Sequence, residues 1–122
     1  MDKATRHVAI VDDDPGVCRA MARLATSLGW ETSAHASGEA LLDAMTSETP
    51  SDVLLDLHLP GLQGAPLIAA LREGTAPPRV IVMTGFDRPG ARAACLAAGA
   101  AAYLLKPVSG ADLERLIGAA EG

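Results

Sequence analysis

A small set of polar side chains stands where short apolar runs end. Residues 8–11 are followed by Asp12, Asp13 and Asp14, residues 53–55 by Asp56, residues 80–83 by Thr84, and residues 103–105 by Lys106. Carboxylates gathered at one place repel, and each is pushed toward its protonated form. A hard divalent cation relieves that repulsion, and an open, oxygen-rich site suits Mg2+. Such a cation neutralises charge on a phosphoryl group in transfer. An aspartate is a competent phosphoryl acceptor. A hydroxyl and an ammonium could take the remaining phosphoryl oxygens. These residue types, brought together, contain the parts for reversible phosphorylation of a carboxylate.

The elements that must bring them together are legible in outline. The four runs are compact, and three are rich in Val, Ile or Leu without alternation, as buried parallel strands are. A fifth, more polar candidate spans residues 30–34, with Glu31, Thr32 and Ser33, and reads as an edge strand. Helical patterns lie between. Val17, Met21, Leu24 and Leu28 recur at helical spacing between Pro15 and Gly29. Ser37 is placed to cap a helix carrying Leu41, Leu42 and Met45. Residues 65–73 carry Leu67, Ile68 and Leu71, with Pro66 in the first turn. Ala91–Ala98 ends before Gly99, a left-handed C-cap candidate. Ser109 and Asp112 have capping-box spacing before a helix with Leu113, Leu116, Ile117 and Ala120 on one face. Strands alternating with helices predict an α/β fold with a parallel sheet covered on both sides. In such sheets ligands bind beyond the carboxyl ends of the strands, where these polar residues stand.

Composition narrows the function classes. A chain of 122 residues predicts one domain, residues 1–122. Hydrophobic residues make up 49 % but aromatics only 2 %, so the core must be aliphatic. The net charge is −5 and no Lys/Arg block occurs, which argues against direct nucleic-acid binding. Cys18 and Cys95 fall in predicted helices without short spacing, so they read as small packed residues. His7 and His35 read as surface or edge residues, and no His/Cys spacing supports a zinc site made of the three histidines. No signal-peptide pattern and no bilayer-length apolar run is present, so a cytoplasmic, reducing setting without membrane contact is expected.

The segments Ile10-Val11-Asp12-Asp13-Asp14, Leu55-Asp56-Leu57-His58-Leu59-Pro60-Gly61, Met83-Thr84-Gly85 and Tyr103-Leu104-Leu105-Lys106-Pro107 resemble those of the receiver domains of two-component systems. The resemblance runs from about Val8 to Ala120. Some details resemble receivers of the nitrogen-fixation regulator type, often joined to a DNA-binding helix-turn-helix domain. The resemblance implies a flavodoxin-like, doubly wound sheet of five parallel strands in the order 2-1-3-4-5, with five helices. It implies that Asp56 accepts a phosphoryl group from a sensor histidine kinase or phosphotransfer protein, with Mg2+ as cofactor. The domain would catalyse only its own phosphorylation and dephosphorylation. Asp13 would ligate Mg2+ directly and Asp12 mainly through water, with Asp56 and the backbone carbonyl of His58 completing the protein ligands. Thr84 and Lys106 would each hold a phosphoryl oxygen, and the peptide before Pro107 would be cis. Tyr103 would be the aromatic that follows Thr84 and biases the face made by the fourth helix, fifth strand and fifth helix. Homodimerisation on phosphorylation is a further expectation.

Asp14 is expected to be peripheral. His58 and Phe86 should flank the phosphoryl site, and Phe86 is expected to shield the acyl phosphate from water. Three other readings compete. Asp12 and Asp14 have the Asp-x-Asp spacing of haloacid-dehalogenase-type phosphatases, with Asp12 as nucleophile and Asp14 as acid/base. Against that, Gly16 replaces the usual Thr or Val, and there is little length for a cap domain. The second is an interaction module that keeps the fold without the chemistry, which would lack Mg2+ binding. The third, a nucleotide-binding flavodoxin-like protein, lacks a Gly-rich loop after the first strand.

Overall fold

The computed structural model describes residues 6–118. Five strands alternate with five helices: β1 (His7–Val11), α1 (Pro15–Ser27), β2 (Glu31–His35), α2 (Gly38–Ala44), β3 (Asp52–Asp56), α3 (Gly64–Leu71), β4 (Arg79–Thr84), α4 (Ala91–Ala98), β5 (Ala102–Leu105) and α5 (Gly110–Leu116). All strand pairs are parallel, and the sheet order is β2-β1-β3-β4-β5. The order reverses between β1 and β3, which opens the crevice expected at such a switch point.

The sheet separates two apolar layers. On one face Ala9, Val11, Val53, Leu55, Val80, Val82 and Tyr103 pack with Leu41, Leu67, Ile68, Leu71 and Cys95 from α2, α3 and α4. On the other, Val8, Ile10, Leu54, Ile81 and Met83 pack with Met21 of α1 and with Leu113 and Ile117 at α5. Strand residues alternate between these layers, so the central strands are buried on both faces and carry no polar/apolar alternation.

Local chemistry sets the helix ends. Asp14 caps α1 by accepting from the Gly16 backbone N–H at 2.8 Å, and Pro15 occupies the first turn. Ser37 caps α2, accepting from Ala40 N–H at 3.1 Å. Ser109 and Asp112 form a full capping box at α5. Gly99 ends α4 with φ 116°, a conformation that a Cβ disfavours. The helix expected over residues 65–73 runs Gly64–Leu71, with Arg72 as its C-cap. The edge strand begins at Glu31 rather than at Trp30. Trp30 instead packs its ring on the α1/α5 layer before the strand starts. Ala120, expected on the α5 face, lies outside the described residues.

Candidate functional site

β1, β3, β4 and β5 all point their carboxyl ends at one mouth, and each delivers a polar residue there. Asp12 follows β1, Asp56 ends β3, Thr84 ends β4, and Lys106 follows β5. Asp12 is 2 % exposed, Asp56 6 % and Thr84 0 %, so three polar side chains are withdrawn from water. Asp12 Oδ1 accepts the Asp14 backbone N–H at 2.9 Å. Lys106 Nζ donates to Asp12 Oδ2 at 2.8 Å and to Asp56 Oδ1 at 3.3 Å. The Lys106 backbone N–H donates to the Thr84 carbonyl at 2.8 Å, which anchors the lysine where β5 leaves the sheet. Asp13 is exposed and shares its carboxylate with no other described residue. One oxygen from each of Asp12, Asp13 and Asp56 lies within 4.8 Å of the others. The Lys106–Pro107 peptide is cis. His58 lies two residues beyond β3 with its side chain exposed.

The charges at this mouth do not balance. Three carboxylates face one ammonium. Burial pushes the Asp56 pKa up, and the charge of Asp12 pushes it further. Lys106 and the His58 backbone N–H pull the other way without cancelling these effects. Burial alone would lower the Lys106 pKa, but Asp12 and Asp56 outweigh it and hold the ammonium above the ordinary lysine value. An all-oxygen donor set with excess negative charge fits a hard dication such as Mg2+. Asp12 has both oxygens engaged by protein donors, whereas Asp13 has a free carboxylate.

Thr84 ends β4, and Tyr103 lies in β5 next to it in the sheet. The Thr84 hydroxyl donates to the Phe86 carbonyl at 3.0 Å, and the Phe86 N–H donates to Thr84 Oγ1 at 3.1 Å. The hydroxyl is therefore engaged with its own loop. Tyr103 is buried, and its phenol donates to Asp87 Oδ1 at 2.8 Å. Burial first, then the bond and charge of Asp87, push its pKa up to about 12. Phe86 is 60 % exposed, with the Arg88 guanidinium 5.1 Å from its ring centre.

Residues 8–118 match the family described as the response regulator receiver domain. The chain belongs to this family. The receiver is similar to the positive alginate biosynthesis regulatory protein of Pseudomonas aeruginosa, 41 % identical over 111 residues, which cover 88 % of this chain and 44 % of that protein. It spans less than half the length of the curated relatives it matches. A response regulator receiver protein from Burkholderia phymatum superposes with TM-score 0.81 at 37 % identity, over 94 % of each chain. The receiver domain of a Pseudomonas aeruginosa sensor histidine kinase superposes with TM-score 0.81 at 27 % identity, over 94 % of this chain and 99 % of that one. That structure has a magnesium ion coordinated in its active-site cleft.

Every strand-end residue singled out in the sequence reaches the receiver's mouth or its margin. Asp14 does not join the acidic cluster, because its carboxylate caps α1. A phosphatase arrangement with Asp14 as proton shuttle has no counterpart in this geometry. Sequence reasoning missed Asp87. A single acid in a loop carries no local signal, and only the fold of the β4–α4 loop brings it to the Tyr103 phenol.

Proposed function

We propose that Asp56 is the phosphoacceptor of this receiver, with Thr84, Lys106 and Tyr103 reading its state. The observation that carries the proposal is the buried Asp56 carboxylate, tied to Lys106 and sharing an oxygen-lined mouth with Asp12 and Asp13. Asp12, Asp13, Asp56 and the His58 carbonyl would hold Mg2+. The magnesium-bound kinase receiver with the same fold supports that assignment. When bound, Mg2+ neutralises charge on the phosphoryl oxygens.

The donor is a phosphohistidine on a sensor kinase or phosphotransfer protein. An Asp56 oxygen forms the new O–P bond while the P–N bond to the donor histidine breaks, and the imidazole leaves with its electron pair. Lys106 holds one phosphoryl oxygen and gives up part of its contact with Asp56. The Thr84 hydroxyl turns from Phe86 to a second oxygen. That frees residues 86–87, and with them the acid that holds Tyr103. Preorganised charge, rather than acid–base chemistry on another substrate, supplies the rate, so the receiver catalyses only its own phosphorylation and hydrolysis. The face of α4, β5 and α5 carries exposed Leu96 and Leu105 and would be the surface that changes. Self-association of phosphorylated receivers through that face belongs to the proposal and is read by light scattering.

Residues 1–122 are taken as one domain, in keeping with a single sheet spanning the described residues. A reducing cytoplasmic setting accords with the free thiols of Cys18 and Cys95. Among the described residues no helix is long and apolar enough to cross a membrane. The net charge of −5 favours protein partners over nucleic acid for this segment.

The test is intact mass after incubation with acetyl phosphate. Wild type with Mg2+ should gain one phosphoryl group. Omitting Mg2+, or replacing Asp56→Asn, should abolish the gain. An adduct that survives in Asp56→Asn would move the acceptor to Asp12 and refute the assignment.

A further inference from the structure

A second convergence of ligating atoms lies on the sheet face that α2 covers, and it uses none of the acidic residues of the mouth. His7 opens β1, while Ser33 and His35 lie on β2, with Ser33 beside Ala9 and His35 beside Val11 in the parallel register. Alternate residues of a strand share a face, so these three side chains stand together. His7 Nε2 and His35 Nε2 each lie 2.9 Å from Ser33 Oγ. Two imidazole nitrogens therefore converge on one oxygen, and that oxygen has a single proton to give. On the far side of the His7 ring, Nδ1 is buried without a hydrogen-bond partner among the described residues, 3.4 Å from Glu48 Oε2.

A hydrogen bond from Nδ1 to this carboxylate, which the present geometry does not make, would fix the proton there and present Nε2 as a lone pair. Metal-ligating histidines are typically oriented in this way. Burial, then the neighbouring His7, lower the pKa of His35. All three residues are only half-buried, so an ion can reach them. Imidazole donors suit Zn2+, Ni2+ and Cu2+, whereas Mg2+ prefers the oxygens of the acidic mouth.

We propose that His7, His35 and the Ser33 hydroxyl form a second cation site, for a divalent transition metal of the Zn2+ class. Glu48 acts as a positioning residue behind His7. Such an ion would clip the edge strand β2 to β1. The His35 carbonyl accepts the Asp12 backbone N–H at 3.1 Å, so the clipped end abuts the acidic mouth.

Calorimetric titration of Zn2+ into the full chain, with excess Mg2+ present, tests the proposal. One equivalent should bind. His7→Gln and His35→Gln should each weaken binding about tenfold or more, and Glu48→Gln should weaken it by a smaller factor. His58→Gln should leave it unchanged. In unsubstituted protein the ring resonances of His7 and His35 should move on Zn2+ addition while those of His58 stay, a readout that needs no variant to fold. Absence of binding overturns the site, leaving a hydrogen-bonded triplet. So does binding lost in Asp13→Asn or Cys18→Ser but kept in the His7 and His35 variants, which would assign the ion to the mouth or to a thiol.

Discussion

Tyr103 is the only tyrosine in the chain, so its ionisation can be followed by near-ultraviolet absorbance without a label. Burial and Asp87 favour the neutral phenol and push its pKa up to about 12. The stabilisation from this shift is complete below the unfolded tyrosine value of about 10, and is lost as pH rises through the folded one. Alkaline titration should therefore show no tyrosinate near pH 10 in the folded protein. Asp87→Ala removes the hydrogen bond and one negative charge, so the transition should move down toward 10, with burial keeping it above that value. A transition near 10 in wild type would refute the buried phenol–Asp87 bond. Phe86 offers a second test at this scale. Its exposed ring follows Thr84 by two residues and is held by Arg88. If the ring limits water at the acyl phosphate, Phe86→Ala should shorten the lifetime of the phosphorylated form several-fold, as measured by the decay of the mass adduct. An unaltered lifetime means that Phe86 does not shield.

Helix starts in this chain are written in a few consecutive residues, and so they were readable. Ser37, Ser109 with Asp112, and the Gly99 stop all do what their types and spacing imply. Ser109→Ala removes one side of the α5 capping box and should cost about 1 kcal/mol in urea denaturation, typical of a lost N-cap. Strand ends were less legible. Asp52, Arg79 and Asp56 belong to strands although they are charged, because pairing with neighbours, rather than apolar content, sets where a ladder stops. Trp30 lies just before β2, and packing against the α1/α5 layer claims it. The His7–Ser33–His35 cluster was invisible for the same kind of reason. It depends on the β1–β2 register, joining residues 26 apart in sequence. The acids and the lysine of the mouth were legible because each merely had to end an apolar run, and the parallel topology did the rest.

Across the whole molecule, the two ends of the sheet are built for different ends. Opposite the mouth, fully buried Asp52 pairs with Arg6 at 2.6 Å and with Arg79 at 3.1 Å. Arg79 also donates to the Leu116 carbonyl, which ties the start of β4 to α5. Removing the shared carboxylate breaks both pairs, so Asp52→Ala should destabilise the fold by about 3 kcal/mol. Acetyl phosphate labelling below the unfolding transition should stay intact, because Asp56 lies at the other end of β3. Loss of labelling in folded Asp52→Ala would show that the two ends are coupled. Lys106 reaches its Asp12 partner across 94 residues of chain and is supplied by the last strand. On the ribosome, the acids of β1 and β3 are therefore made long before their counter-ion. A nascent chain that has not yet docked β5 holds a crowd of carboxylates without a cation of its own. If the proposed roles of Asp56 and Lys106 hold, the ability to take a phosphoryl group arrives only once β5 has docked and Lys106 meets its acids.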